Sequence, residues 1–374
     1  MTYAPQNPVD VPPFQLQRLV QEVLAPGVSG RAQVRCAQAL GSEIYIGCSD
    51  GGLLRYALQA DDPTKLESYT ILSRQSVPGE KPIDEIVLIP SLSRALVLSD
   101  HQIHFYTIPS LDPYPIKPIR HAITFAVDDH HLKRPSPSSA PPGVSIPIEP
   151  VDFCVIKRNS IAMYVLKDRL IYQKEIPLPQ GATLARRAGR SLCICDKTYY
   201  SMVDLEDASM FQLLPLSQAS DPTPFVVKPS ITVISPSEFL ILSWTGASTL
   251  GLFITGAGDP VRGTLEWPSH PEAVCLDYPY ITSLLPNNTI EIHSVETQSI
   301  VQVIGAPPSS TPSSKASSPV KLSTHSRGAS SGSRSIDLDT ARRTNLISSV
   351  SGYLVPSTQR SDKMRPVSIK LIRT

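Results

Sequence analysis

A two-strand phrase recurs along this sequence and restricts what the chain can fold into. Apolar runs rich in Val, Ile, Leu and Tyr are separated by Gly, Pro, Asn, Asp or Ser. The clearest runs are Glu43–Cys48, Arg94–Ser99, Ser191–Cys195, Glu238–Ser243 and Tyr278–Ser283. A polar or glycine turn and a second run follow each of them. Asp50-Gly-Gly-Leu-Leu-Arg-Tyr56, Asp100-His-Gln-Ile-His-Phe-Tyr106 and Asn287-Asn-Thr-Ile-Glu-Ile-His293 share one spacing, a turn residue six positions before an aromatic ring. An Asp or Asn that bonds its own backbone supports a tight turn, so the phrase predicts an antiparallel hairpin. Equivalent first strands lie 51 residues apart from Ile44 to Ala95, 47 from Leu192 to Phe239 and 41 from Phe239 to Tyr280. A multi-strand repeat of roughly 40–50 residues is the signature of a β-propeller. Dividing residues 14–305 and 346–374 by roughly 40–45 residues per blade predicts seven blades, with six or eight as the neighbouring counts. The expected fold is all-β.

Proline supports the same reading. The 37 prolines among 374 residues are about twice ordinary usage. Each removes a backbone donor and clashes with a helical turn, so a bundle or coiled coil is excluded. Many stand at predicted strand borders, among them Pro82, Pro90, Pro109, Pro177, Pro236 and Pro279. Two segments break the pattern. Residues 133–147 read as a proline-rich loop insertion. Residues 306–345 are rich in Ser, Thr and Pro and carry Lys315, Lys321, Arg327, Arg334, Arg342 and Arg343 against Asp337 and Asp339. That composition buries too little apolar surface to offset its ordering entropy, and a disordered basic insertion is expected.

The formal net charge of +1 argues against a general nucleic-acid binder, which carries a clear basic excess. No apolar run is long enough to span a bilayer, and the opening residues lack the plan of a signal peptide. Six cysteines scattered through strand-like runs read as reduced, buried thiols of a cytoplasmic protein. Cys193 and Cys195 share a strand face but have no further ligands at metal-binding spacing. His130 and His131 beside Asp128 and Asp129 read as a solvated loop. Arg186, Arg187 and Arg190 read the same way, with an acidic partner surface as the sharper alternative. Phe14, Leu16, Leu19, Val20, Val23 and Leu24 have the spacing of a short amphipathic helix but no basic face for anionic lipid, and they read instead as a strand that enters or closes the ring. Neither a nucleophile elbow nor a P-loop is present, and the glycines at 246–258 fit blade turns. Catalytic, cofactor and metal residues are therefore expected to be none.

Several phrases go beyond a generic propeller. Gln33–Ala37 with Glu43–Tyr56, Lys81–Asp100, Glu266–Ile281 and Gly352–Lys363 resemble the strand phrases of a citron homology (CNH) domain. They are most similar to those of the vacuolar sorting and TGF-β-receptor-associated family found in HOPS and CORVET tethering complexes. The resemblance implies a CNH propeller over residues 14–374. It also implies a non-enzymatic interaction module in vesicle tethering and intracellular protein transport. The partners implied are a Rab-type small GTPase and other tethering subunits, without nucleic acid. Membrane association would be peripheral, through those partners, on endosomes or the vacuole. Two alternatives stand beside this: a regulatory CNH domain for a Rho-type GTPase, receptor or kinase partner, and a propeller enzyme with a central-channel site. Family members continue into an α-solenoid, so the end at Thr374 is expected of an isolated propeller or of a truncated product. Ser330 and Thr344 follow basic residues and are candidate phosphorylation sites; the protein-binding residues are left unassigned.

Overall fold

The structure, a computed structural model, describes residue 14 and residues 32–58, 69–134, 147–305, 348–356 and 364–367. Each recurring phrase forms the middle of an antiparallel sheet, with one strand added before it and one after. Blade 1 contains β1 (Val34–Gly41), β2 (Glu43–Cys48), β3 (Gly52–Leu58) and β4 (Tyr69–Ser76). Blade 2 contains β5 (Ile83–Ile89), β6 (Arg94–Ser99), β7 (Gln102–Thr107) and β8 (Ile119–Arg120). Blade 3 contains β9 (Thr124–Val127), β10 (Val151–Ile156), β11 (Ser160–Leu166) and β12 (Leu170–Pro177). Blade 4 contains β13 (Leu184–Ala188), β14 (Ser191–Cys195), β15 (Tyr199–Asp204) and β16 (Met210–Pro215). Blade 5 contains β17 (Ile231–Ser235), β18 (Glu238–Trp244), β19 (Thr249–Thr255) and β20 (Leu265–Trp267). Blade 6 contains β21 (Ala273–Asp277), β22 (Tyr280–Leu284), β23 (Ile290–Ser294) and β24 (Ile300–Ile304). Short 3₁₀ turns follow β5 at Pro90–Leu92 and β9 at Asp129–Lys133.

The all-β propeller is as expected, but the count of seven blades is not. Six sheets form among the described residues. Among the described residues, 128–134 and 147–150 inside blade 3 and 216–230 between blades 4 and 5 are connections, and they occupy length that an average repeat would assign to strands. In addition, β25 (Ser348–Pro356) and β26 (Met364–Val367) make no blade of their own. β25 runs parallel to β1 along its free edge and pairs antiparallel with β26, so blade 1 is a six-stranded sheet.

The turn chemistry follows the sequence closely. Asp50 Oδ1 accepts the Gly52 N–H at 3.1 Å, and Asn287 Oδ1 accepts that of Thr289 at 2.9 Å. Asp196 Oδ1 accepts both Thr198 N–H and Tyr199 N–H, at 2.6 and 2.7 Å. At Asp100 and His101 both φ angles are positive, 48° and 57°, as the primed hairpin turn requires. Pro82 precedes β5, Pro90 opens a 3₁₀ turn, Pro177 ends β12, and Pro236 and Pro279 sit between paired strands.

Side-chain alternation explains why the second strands are apolar without interruption: both of their faces are buried. Phe153 and Val155 of β10 join Leu96, Leu98 and Phe105 of blade 2, while Cys154 and Ile156 join Leu192 and Ile194 of blade 4. Cys193 and Cys195 share the opposite face of β14, packed with Tyr200 and Met202 against Phe239 and Ile241 of blade 5. Equivalent clusters join blades 1 and 2 through Tyr45, Leu88 and Val97, and blades 5 and 6 through Phe253, Trp267 and Ile281. Each such side chain contributes about 1.5–3 kcal/mol on burial. The clusters thus fasten blades 1 to 6 in succession, and β21 of blade 6 meets β25 on the edge of blade 1. Packing is close enough at one junction to demand glycine, because a Cβ on Gly47 would lie 2.6 Å from Ile83 Cγ2.

Phe14 packs edge-on against Tyr280 of blade 6, and the Gln302 side-chain amide bonds both its N–H (2.6 Å) and its carbonyl (2.7 Å). The rest of the predicted entering strand, 15–24, lies outside the described residues. So do the proline-rich loop from 135 to 146, all of 306–345, and with it Ser330 and Thr344.

Candidate interaction cleft

The first strands of the sheets surround the axis, and the turns leaving β9, β13, β17 and β21 gather at one end of it. There they enclose a half-open cleft of about 560 Å³. Asp128, Asp129, His130 and Leu132 contribute from blade 3, and Ala188 from blade 4. Val233, Ile234, Ser235, Pro236, Glu238 and Arg262 contribute from blade 5, and Leu276 and Tyr278 from blade 6. The wall is mostly apolar with charge at its margin, the ordinary make-up of a binding site.

Asp128 organises the blade 3 side. Its carboxylate caps the 3₁₀ turn by accepting the His130 N–H at 3.2 Å, and it contacts His130 Nδ1 at 2.9 Å. It also accepts the Gly189 N–H at 3.3 Å, which ties this turn to blade 4. The solvated-loop reading of 128–131 therefore holds for His130, which is exposed, and is corrected for His131. His131 is 3% exposed, and burial pushes its imidazole down to about 4, so it is neutral at physiological pH. Asp129 lines the cleft with no hydrogen bond or ion pair among the described residues. Burial pushes its carboxyl up to about 6; Arg186 draws it back down, and Asp128 adds to the rise.

The expected solvated loop holds for Arg190, whose side chain is 65% exposed in the turn between β13 and β14, but not for Arg186 and Arg187. Arg186 and Arg187 lie on β13, an inner strand. Arg186 reaches over the short β9 to Glu85 of β5, at 3.1 Å. Arg187 is 6% exposed and donates to the Gly189 carbonyl at 2.8 Å and to Cys154 Sγ at 3.7 Å, with Asp152 3.8 Å away. Arg190 pairs with Asp204 at 3.3 Å and Glu206 at 3.4 Å. The acidic surface these cations meet is the protein's own. On the blade 5 side, buried Glu238 holds Arg262 through two N–H donors, one at 3.0 Å.

The candidate thiols sit in the core. Cys193 and Cys195 are fully buried, and burial raises both, Cys195 to about 12, far from a reactive thiolate. No group of three His, Cys, Asp or Glu side chains among the described residues could hold a metal ion. A second polar group, Glu291 and His293, is buried between blades 5 and 6, 4.0 Å apart with the Trp267 ring against the imidazole. Burial raises the carboxyl and lowers the imidazole to about 4, which favours the neutral form of each.

No local signal in the sequence could have found the cleft, because its lining comes from turns of four blades. The phrases that resemble a known family are a different matter. A sequence model of the CNH domain matches residues 41–314. The chain belongs to the CNH domain family. This CNH domain is 25% identical over 303 residues to transforming growth factor-beta receptor-associated protein 1 of Mus musculus, covering 79% of this chain and 33% of that protein. It is 23% identical over 272 residues to vacuolar protein sorting-associated protein 3 of Saccharomyces cerevisiae, covering 69% and 24% of the two chains. The chain thus spans a third or less of the length of these relatives. Among solved structures it is similar to one titled "AfRom2 CNH domain", with a TM-score of 0.48, 21% identity, and coverage of 74% of this chain and 85% of that one. No helix among the described residues is long and apolar enough to cross a membrane.

Proposed function

We propose that this CNH propeller is a non-enzymatic protein-interaction module of vesicle tethering and intracellular protein transport. In this reading it recognises a Rab-type small GTPase and works beside other tethering-complex subunits, held peripherally on endosomal or vacuolar membranes by those partners. The observation that carries the reading is the similarity to proteins named for vacuolar sorting and receptor association, which extends over 69–79% of the chain. The architecture suits the role: five apolar clusters join the six blades in succession, so the turns are carried on a packed scaffold that offers a partner a preformed surface.

The mechanism is selection of a conformation, with no covalent step. A GTPase orders its switch loops around the nucleotide's γ-phosphate, and a rigid surface complementary to that order binds one nucleotide state and not the other. The test is a pull-down of a Rab panel, each member loaded with GDP or with a non-hydrolysable GTP analogue. The expected result is retention of one or more members in the GTP form alone. Equal retention of both forms, or retention of neither, would refute the proposal.

A further inference from the structure

We infer that the cleft at the turn end of the ring docks a Lys- or Arg-bearing peptide segment of a partner protein, with the cation against Asp129 and its apolar neighbours against Leu132 and Tyr278. This does not rest on the GTPase reading, since a linear segment in the cleft and a folded GTPase on the ring are separate interactions.

Most charges at the site are already paired within the protein. Arg262 is held by Glu238 through two hydrogen bonds, Arg186 by Glu85, and Arg187 by the Gly189 carbonyl near Asp152. Each of these cations already has a partner in the protein, a carboxylate for Arg262 and Arg186 and a carbonyl for Arg187. On the acidic side, Asp128 has three donors. Asp129 lines the same cavity and has no hydrogen bond or ion pair among the described residues. Its carboxyl is raised to about 6, chiefly by partial burial; Arg186, already held by Glu85, offsets only part of that rise and makes no hydrogen bond to it, whereas an arriving ammonium or guanidinium would supply a direct donor. The cleft's unmet demand is therefore for a cation.

The rest of the lining sets the flanking chemistry. Leu132 and Tyr278 are 38% and 57% exposed, and Val233, Ile234, Pro236 and Leu276 continue the apolar wall. Lysine and arginine carry aliphatic stems that cover such surface while the head reaches a carboxylate. A volume of about 560 Å³ takes a few side chains, which suits a short segment rather than a folded domain.

The test pans a randomised hexapeptide phage library on the full chain, then measures the enriched sequences as fluorescent peptides by polarisation. Lys or Arg beside an aliphatic or aromatic residue is expected among the enriched sequences. Replacing that cation with Glu in the peptide should abolish binding. D129N should weaken it by about tenfold or more, and L132A should weaken it as well. Thermal melting confirms that each variant is folded. Enrichment of acidic sequences, no enrichment above bare support, or unchanged affinity in a folded D129N would overturn the inference. Failure of every Rab in the pull-down leaves these outcomes readable, so the two proposals fail separately.

Discussion

Asp129→Asn asks whether folding forces a charge into a poor environment. The Asp129 carboxyl titrates at about 6 in the folded protein against an ordinary value of 3.8, chiefly because burial desolvates it. A raised acid binds its proton more tightly in the folded state. Stability therefore falls as pH rises from about 4 through about 6, and the loss is complete above that window. At about 1.4 kcal/mol for each pH unit of difference, the full effect would be about 3 kcal/mol. The value of about 6 already includes the pull of Arg186, but the cleft is half-open and water screens the carboxylate, so a net of about 1–2 kcal/mol is the better expectation. Asparagine keeps the shape and cannot ionise. D129N should then be more stable than the parent by that amount at pH 7.5, and equal to it near pH 3.5. Urea unfolding at the two pH values, followed by the fluorescence of Trp244 and Trp267, measures the difference. A less stable D129N at pH 7.5 would show that attraction to Arg186 outweighs desolvation, and a gain of the same size at both pH values would show that ionisation is not its source; either result refutes the reasoning.

Other expectations follow from single contacts. The Tyr200 hydroxyl donates to the Leu242 carbonyl at 2.8 Å and accepts the Ser230 N–H at 3.0 Å, tying blade 4 to blade 5, so Y200F should cost about 1–2 kcal/mol in urea unfolding. R262A leaves the Glu238 carboxylate buried without its partner and should cost about 2 kcal/mol, with R262A/E238Q recovering part of it. G47A forces a methyl into the junction of blades 1 and 2 and should cost about 1–3 kcal/mol, read as a lowered melting temperature. Cys48, Cys154, Cys193, Cys195 and Cys275 are buried, so a thiol reagent at pH 8 should modify them only as fast as the protein opens; rapid labelling of the native protein would contradict their burial.

Where the sequence was legible, a local physical rule decided the structure. Asp50, Asp196 and Asn287 each bond the backbone two residues on, so the hairpins between second and third strands could be read directly. The inner strands were not legible, because their polar residues are satisfied by residues distant in sequence. Arg186 and Arg187 look like a loop until Glu85 and Cys154 are placed beside them. The blade count failed because an average repeat length counts connections as strands, and 128–134, 147–150 and 216–230 are connections. β25 could be recognised as a late strand, but its parallel place beside β1 could not be read from spacing. The cleft depends on all of these at once. Asp128 and Asp129 were visible as a pair, yet their partners across the cavity are more than a hundred residues away.

The pairing of β1 with β25 joins Gln38 to Ser348 and Gly41 to Tyr353. During synthesis the ribosome must add some three hundred residues after β1 before the strand that covers its edge exists. Throughout that interval β1 presents unpaired backbone groups that another nascent chain could pair with. Contacts so distant in sequence also slow folding, because loop closure precedes any gain from the contact. A nascent chain of this kind gains from a chaperone that shields β1 until β25 emerges. Versions ending before Ser348 should associate edge to edge and accumulate as aggregates.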